Sequence, residues 1–309
     1  MRALRIASIV AAALAGASLA MVAAIGPARA DMAGTADGAL KLDDQPTALT
    51  HAYVIEVNEI PEMHFGEGPT RYLAVMLTDR PFPDGQKPSE MMAHQLSFTG
   101  NLRGVGLDVD PATGEVMNGR TLLPQAEGPQ FFTVITMGAE PMVVLEDWAE
   151  AEGRLHGHVR TPEPMEVVNF DGDPNLPEAF TFEATFDAEI IAAPMLTETL
   201  EGDAARQGPH AEALGRFLEA IAAKDMAAIK DAVATGDPMR EQVTAEDVEM
   251  MNSMMFEDGQ KQPADILAAL TKIYLFDNGT AVVVLQHGEN ETSTFPLAQD
   301  NGTWKMGQP

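Results

Sequence analysis

The chain has 309 residues, 47 acidic against 19 basic side chains, no cysteine and a formal net charge of −28. Such a charge repels phosphate backbones and anionic lipid, which sets aside nucleic acid and an anionic membrane surface as partners. The lack of cysteine rules out disulfides, thiolate chemistry and a lipid-anchored cysteine, so stability must come from the core alone.

Arg2 and Arg5 precede an uncharged Ala/Leu/Val-rich run, Ile6–Ile25. Ala28-Arg29-Ala30 then offers small residues at both recognition positions of a cleavage site, so residues 1–30 read as a secretory signal peptide. The alternative is an uncleaved anchor, since the run is about long enough to span a bilayer; Pro27 and the dilution by Gly and Ala favour cleavage. A mature chain from Asp31 would carry 16 basic and 47 acidic residues, a net charge of −31, and would be periplasmic or secreted. That surface tolerates cations or basic partners, or serves solubility alone.

Residues 31–39 are rich in Gly, Ala and Asp and read as a disordered lead-in. Residues 40–193 carry strand signals. His51–Glu59 and Arg71–Asp79 are β-branched and aromatic, and Ser89 can cap a short helix through Met91, Met92 and Gln95. Pro111-Ala112-Thr113-Gly114 marks a hairpin between Gly104–Asp110 and Glu115–Asn118, and Phe131–Met137 is a further strand. Met142–Glu150 and Arg154–Thr161 flank Ala151-Glu152-Gly153, which predicts a three-residue loop. That register opposes Glu150 to Arg154, Trp148 to His156 and Glu146 to His158. In Phe180–Ile191 apolar and polar residues alternate strictly, giving one buried and one wet face. Short strands with Gly/Pro turns and little helix predict an antiparallel β-sandwich.

Pro194, Gly202, Gly208 and Pro209 make residues 194–209 read as a linker. Residues 210–309 change period. Leu214, Phe217, Leu218 and Ile221 form a helical stripe. Asp225 can cap a second helix, Thr244 a third, and Pro263 can open a fourth over Ala264–Leu270. Lys272–Met306 reads as a meander of three strands, turned at Asn278-Gly279, Gly288-Glu289-Asn290 and Asn301-Gly302. The predicted class is α+β.

Two linked helices with an Asp at the junction, then a meander ending in Gly302-Thr303-Trp304-Lys305-Met306, resemble the NTF2-like superfamily over the last hundred residues. The resemblance implies helices against a curved sheet that often encloses a pocket. It implies a binding or assembly role, since no Asp/His pair of its enzymes can be assigned. Residues 40–193 also resemble the β-rich part of uncharacterised exported bacterial proteins, which implies no activity.

The supply of apolar residues makes Phe217, Ile221, Met251, Met255, Tyr274, Phe295 and Trp304 the candidate lining of a pocket in the C-terminal domain. It would take an apolar small molecule or a protein partner, including a second copy as a homodimer. The chemistry asks for no cofactor.

A metal reading stands beside this one. His156 and His158 project from one face of a strand, with Glu163 four residues on. This His-x-His-x4-Glu resembles the first half of a cupin metal motif, whose second half the chain lacks. Glu146 across the hairpin adds a carboxylate for zinc or iron, while Arg154 and Arg160 on the same face favour plain cross-strand ion pairs. Met250, Met251, Met254 and Met255 are soft thioether donors for copper, or adaptable core fillers. Met91, Met92 and His94 form a smaller group of the same kind. Asp108-x-Asp110 and Asp171-x-Asp173-x-Asn175 look like pieces of calcium loops or, more simply, Asx turns.

Overall fold

The computed structural model describes residues 33–63, 70–83, 88–124, 141–166, 177–256, 261–288 and 291–307. The expected signal peptide, the expected strand at Phe131–Met137, the Asp171–Asn175 segment and part of the expected Gly288–Asn290 turn lie outside the described residues. The described chain divides into two units. One holds residues 33–58 and 70–193, the other residues 59–63 and 194–307. Both are built on antiparallel sheets, and the chain is α+β.

The N-terminal unit carries β1 (Gly34–Leu42), β2 (Gln45–Asn58), β3 (Arg71–Thr78), α1 (Glu90–Phe98), β4 (Gly104–Val109), β5 (Val116–Leu122), β6 (Val144–Ala151), β7 (Arg154–Arg160), β8 (Met165–Glu166) and β9 (Ala179–Ile191). The strands expected to divide between two sheets of a sandwich belong to one, in the order β5-β4-β3-β2-β1-β9-β7-β6, with β8 on β9. The sheet curls round one core. Leu40, Val54, Leu73, Val75, Leu107, Leu155, Val159, Phe180 and Phe182 all bury into the same cluster. Distant strands meet across the curl: Arg71 of β3 pairs with Glu150 of β6 at 3.2 Å. The Trp148 indole lies so close to Gly114 that a Cβ there would fall 2.1 Å from Nε1.

Residues 34–39 are not a disordered lead-in. They form most of β1, which runs between β2 and β9. Gly34 and Gly38, read as signs of disorder, answer a packing demand. A Cβ at either would lie 2.2 or 2.1 Å from a carbonyl oxygen of β9. Beyond the start of β1, β2 and β9 pair directly and in parallel, Val54 with Ile190 and Ile55 with Ile191. The strict alternation of β9 is kept from Phe180 to Ala188, with Phe180, Phe182, Ala184, Phe186 and Ala188 buried, and ends where Ile191 is buried and Ile190 half-buried.

The β6–β7 hairpin differs from the expected register in an instructive way. Its loop is the two residues Glu152-Gly153, both with positive φ (54° and 72°), so Ala151 opposes Arg154 and Ala149 opposes His156. A bulge at Asp147 (φ 49°) then restores the expected pair Glu146–His158. The bulge adds a residue and reverses the facing beyond it. Trp148 therefore packs against the core, where unbroken alternation would have put it on the polar face.

The C-terminal unit contains β10 (Leu196–Glu201), α2 (Asp203–Arg206), α3 (Pro209–Ala222), α4 (Met226–Ala232), α5 (Pro238–Gln242), α6 (Ala245–Phe256), α7 (Pro263–Ala268), β11 (Leu270–Phe276), β12 (Thr280–Gln286), β13 (Thr292–Asp300) and β14 (Thr303–Met306). The stretch read as a linker holds an edge strand and two helix starts. The sheet has five strands, β10 to β14 in sequence order, where three were expected. Proline and glycine misled here because an edge strand tolerates them at its ends.

Helix signals were read more accurately. The Asp225 carboxylate accepts from the N–H of Ala227 and Ala228 at 3.0 and 3.1 Å and starts α4. Thr244 and Asp247 cap each other ahead of α6. Asp237 caps α5, a helix not among those expected. The stripe Leu214, Phe217, Leu218, Ile221 buries against Ile273, Val283, Leu285 and Leu297. Each such side chain contributes about 1.5–3 kcal/mol. The other face of the sheet presents Tyr274, Phe276, Val282 and Val284 to Ile60. Residues 59–63, expected in the N-terminal domain, belong here. Glu62 in the 3₁₀ turn Pro61–Met63 accepts from Lys272 Nζ at 2.8 Å and from the Tyr274 hydroxyl at 2.7 Å.

Candidate functional site

The strongest concentration of buried polar chemistry among the described residues lies under α1. Ser89 Oγ accepts from the N–H of Met92 at 3.1 Å and starts that helix. The next residue, Glu90, is thereby turned towards the sheet. In β4, Val105, Leu107 and Val109 face the core, so Gly104, Gly106 and Asp108 share the opposite face. Gly106 stands opposite Arg120 of β5, and a Cβ there would lie 2.9 Å from Arg120 Cγ. The missing side chain lets the arginine lie across β4. Its Nη2 contacts both Glu90 Oε1 and Asp108 Oδ1.

All three groups are more than nine-tenths buried, at 7% exposure for Arg120 and 8% for each acid. Two carboxyls share one guanidinium. Burial pushes the Glu90 carboxyl up to about 8, and the neighbouring Asp108 charge adds to the shift while Arg120 opposes it. Asp108 is raised as well, by burial, against the pull of Arg120 and of hydrogen bonds from Glu90 and Asn118. His94, one turn along α1 from Glu90, is lowered to about 4 by burial and by the Arg120 charge. At neutral pH the cluster thus holds a neutral imidazole, one guanidinium and fewer than two negative charges.

Sequence reading missed this cluster. Asp108 entered only as part of a calcium loop or an Asx turn, and His94 only in a small Met/His group. The Asx turn is real at Asp110, whose carboxylate accepts from Ala112 N–H at 2.8 Å and Thr113 Oγ1 at 2.9 Å. The available signal was the placing of Asp108 and Arg120 within strands whose neighbours are apolar.

The other candidates fall as follows. His156 is exposed and His158 half-buried; Glu163 is exposed. His158 lies 3.6 Å from Glu146 and 3.1 Å from Glu183, and Arg160 binds Glu146 at 2.8 Å. Arg160 holds Glu146 below the usual carboxylate range. The face is a network of cross-strand ion pairs in which Glu183, not Glu163, is the second acid. No group of three or more His, Asp or Glu that could hold a metal ion is found among the described residues.

On α6, Met251 is buried and Met255 packs on the same apolar cluster, while Met254 is 53% exposed and Met250 half-buried. Helical spacing pairs Met251 with Met255 on one side and Met250 with Met254 on another. The four thioethers do not share a face.

Six of the seven expected pocket residues, Phe217, Ile221, Met251, Met255, Phe295 and Trp304, belong to or pack against one apolar cluster. Tyr274 does not. The register of β11 sends Ile273 inward and Tyr274 to the opposite face with Ile60. Burial and the Glu62 carboxylate raise Tyr274 to about 12. One polar group enters this region unannounced. His210, the second residue of α3, is buried, its ring centred 4.4 Å from that of Trp304, with Nε2 lacking a hydrogen-bond partner. Burial lowers its pKa, against the pull of Glu198.

No family model matches the chain, and no curated protein or solved structure is significantly similar to it. No helix among the described residues is long and apolar enough to cross a membrane.

Proposed function

We propose that the protein is an exported, non-catalytic binding or assembly module whose C-terminal unit receives an apolar ligand or a partner's side chains. The observation that carries this reading is the convergence of Phe217, Ile221, Met251, Met255, Phe295 and Trp304 on one cluster. The buried polar side chains of that unit, among the described residues, are His210, Thr280 and Thr294, and none is a carboxylate. Apolar walls with a few polar groups suit recognition better than acid–base work. In finer terms, we read the C-terminal unit as NTF2-like, supported by helices that cover one face of a meander sheet. We read the curled N-terminal sheet as a variant on sandwich packing.

The test uses the mature chain, since a fragment starting at residue 205 would lack β10, and a Trp148→Phe variant leaves Trp304 as the only tryptophan. An anilinonaphthalene dye is titrated while energy transfer from Trp304 is followed, and mass in solution is measured by sedimentation. Saturable binding with transfer, or a stable dimer, is expected. A monomer that binds no apolar probe would overturn the reading.

A further inference from the structure

The helix that covers the buried cluster has an unusual inner face. Among the described side chains of α1, Glu90, Ala93 and Ser97 are the buried ones. Met92, Leu96 and Phe98 are half-buried, so two of the three fully buried side chains, Glu90 and Ser97, are polar. An ion pair between Glu90 and Arg120 ties α1 to β5. Arg120 is already engaged by Asp108, and neither Glu90 oxygen receives a well-aligned N–H. A proton on Glu90 resolves this, because the acid can then donate to the Asp108 carboxylate.

We propose that Glu90 and Asp108 share a single proton that latches α1 onto β4 and β5, and that its loss in alkaline solution loosens the helix. The groups facing the latch are Glu90 and His94 from α1, Tyr72 from β3, Asp108 from β4, and Arg120 with the uncharged Asn118 from β5. Arg120 is the one cation among them, since His94 is neutral in this environment. Deprotonation passes the proton to hydroxide as water and breaks no other bond. It leaves two buried carboxylates on one guanidinium, and an uncompensated buried charge is strongly unfavourable. The helix can relieve it by moving Glu90 into water, which uncovers the strand face carrying Gly104, Gly106 and Asp108.

Amide hydrogen exchange on the full chain, corrected for intrinsic rates, reads this directly at about pH 6.5 and about pH 9. Protection of residues 91–98 should fall by about tenfold or more at the higher pH, while β12 and β13 keep theirs. Glu90→Gln, which cannot ionise, should keep α1 protected at both. Equal protection of the wild-type helix at both values, or the same loss in Glu90→Gln, overturns the proposal. If Glu90→Gln does not fold, infrared spectroscopy of the wild type decides. A protonated carboxyl band near neutral pH that vanishes in alkali supports the latch, and its absence near neutral pH overturns it.

Discussion

Two charged clusters lie against the same sheet and use the same kinds of residue, yet they are in opposite situations. Buried Glu90 and half-buried His94 of α1 meet buried Asp108 and Arg120 of the strands beneath it. Glu146, Glu183, Arg160 and His158 lie on the wet face of β6, β7 and β9. In the first, burial outweighs the partner charge and the carboxyls rise. In the second, water screens the charges and Arg160 lowers Glu146. The pair teaches that position in the sheet, rather than residue type or spacing, decides which cluster carries chemistry.

Removing the shared cation breaks the comparison most sharply. Arg120→Met leaves Glu90 and Asp108 buried without a cation and should cost about 3–5 kcal/mol, read as a fall in urea midpoint. Methionine roughly keeps the apolar stem, so a change below about 1 kcal/mol would mean that the cluster is hydrated.

Next comes pH. A carboxyl raised to about 8 keeps a proton that the unfolded chain has already lost, so stability falls as pH rises from about 4.5 to about 8. His94, lowered to about 4, acts the other way between about 4 and 6.5, where the unfolded chain binds the extra proton and stability rises. The two oppose each other below about 6.5. Between about pH 6.5 and 8 the fall due to Glu90 remains, on the order of 2 kcal/mol. Urea melts at three pH values across that window check it; a flat profile contradicts the buried charge count.

A smaller effect is expected at Gly106. Gly106→Ala puts a methyl 2.9 Å from Arg120 Cγ and must displace the arginine stem, for about 1–3 kcal/mol. The smallest concerns the exposed cluster. Arg160→Ala and His156→Ala should leave the melting temperature and any Zn²⁺ affinity unchanged within error. A clear loss of Zn²⁺ binding in His156→Ala would restore the metal reading.

Local signals were the legible part of the sequence. Ser89, Asp225 and Thr244 cap the helices they were expected to cap, because capping needs only neighbours in the chain. The alternation of β9 held because its two faces meet different media. What failed depends on distant partners. Gly34 and Gly38 look like disorder until β9 is known to press on them. A single positive φ at Asp147 sends Trp148 to the core, and no sequence rule announces a bulge there. Glu90 and Asp108 lie 18 positions apart and meet only because the β3–β5 face folds under α1.

The most direct measurement is a carbon-13 NMR titration of the side-chain carboxyls of Glu90 and Glu146, assigned through Glu90→Gln and Glu146→Gln. Glu90 should titrate near 8, on the far side of the ordinary glutamate value from Glu146, which should titrate below it. Two carboxyls titrating together at the ordinary value would contradict the claim that burial in the sheet separates them.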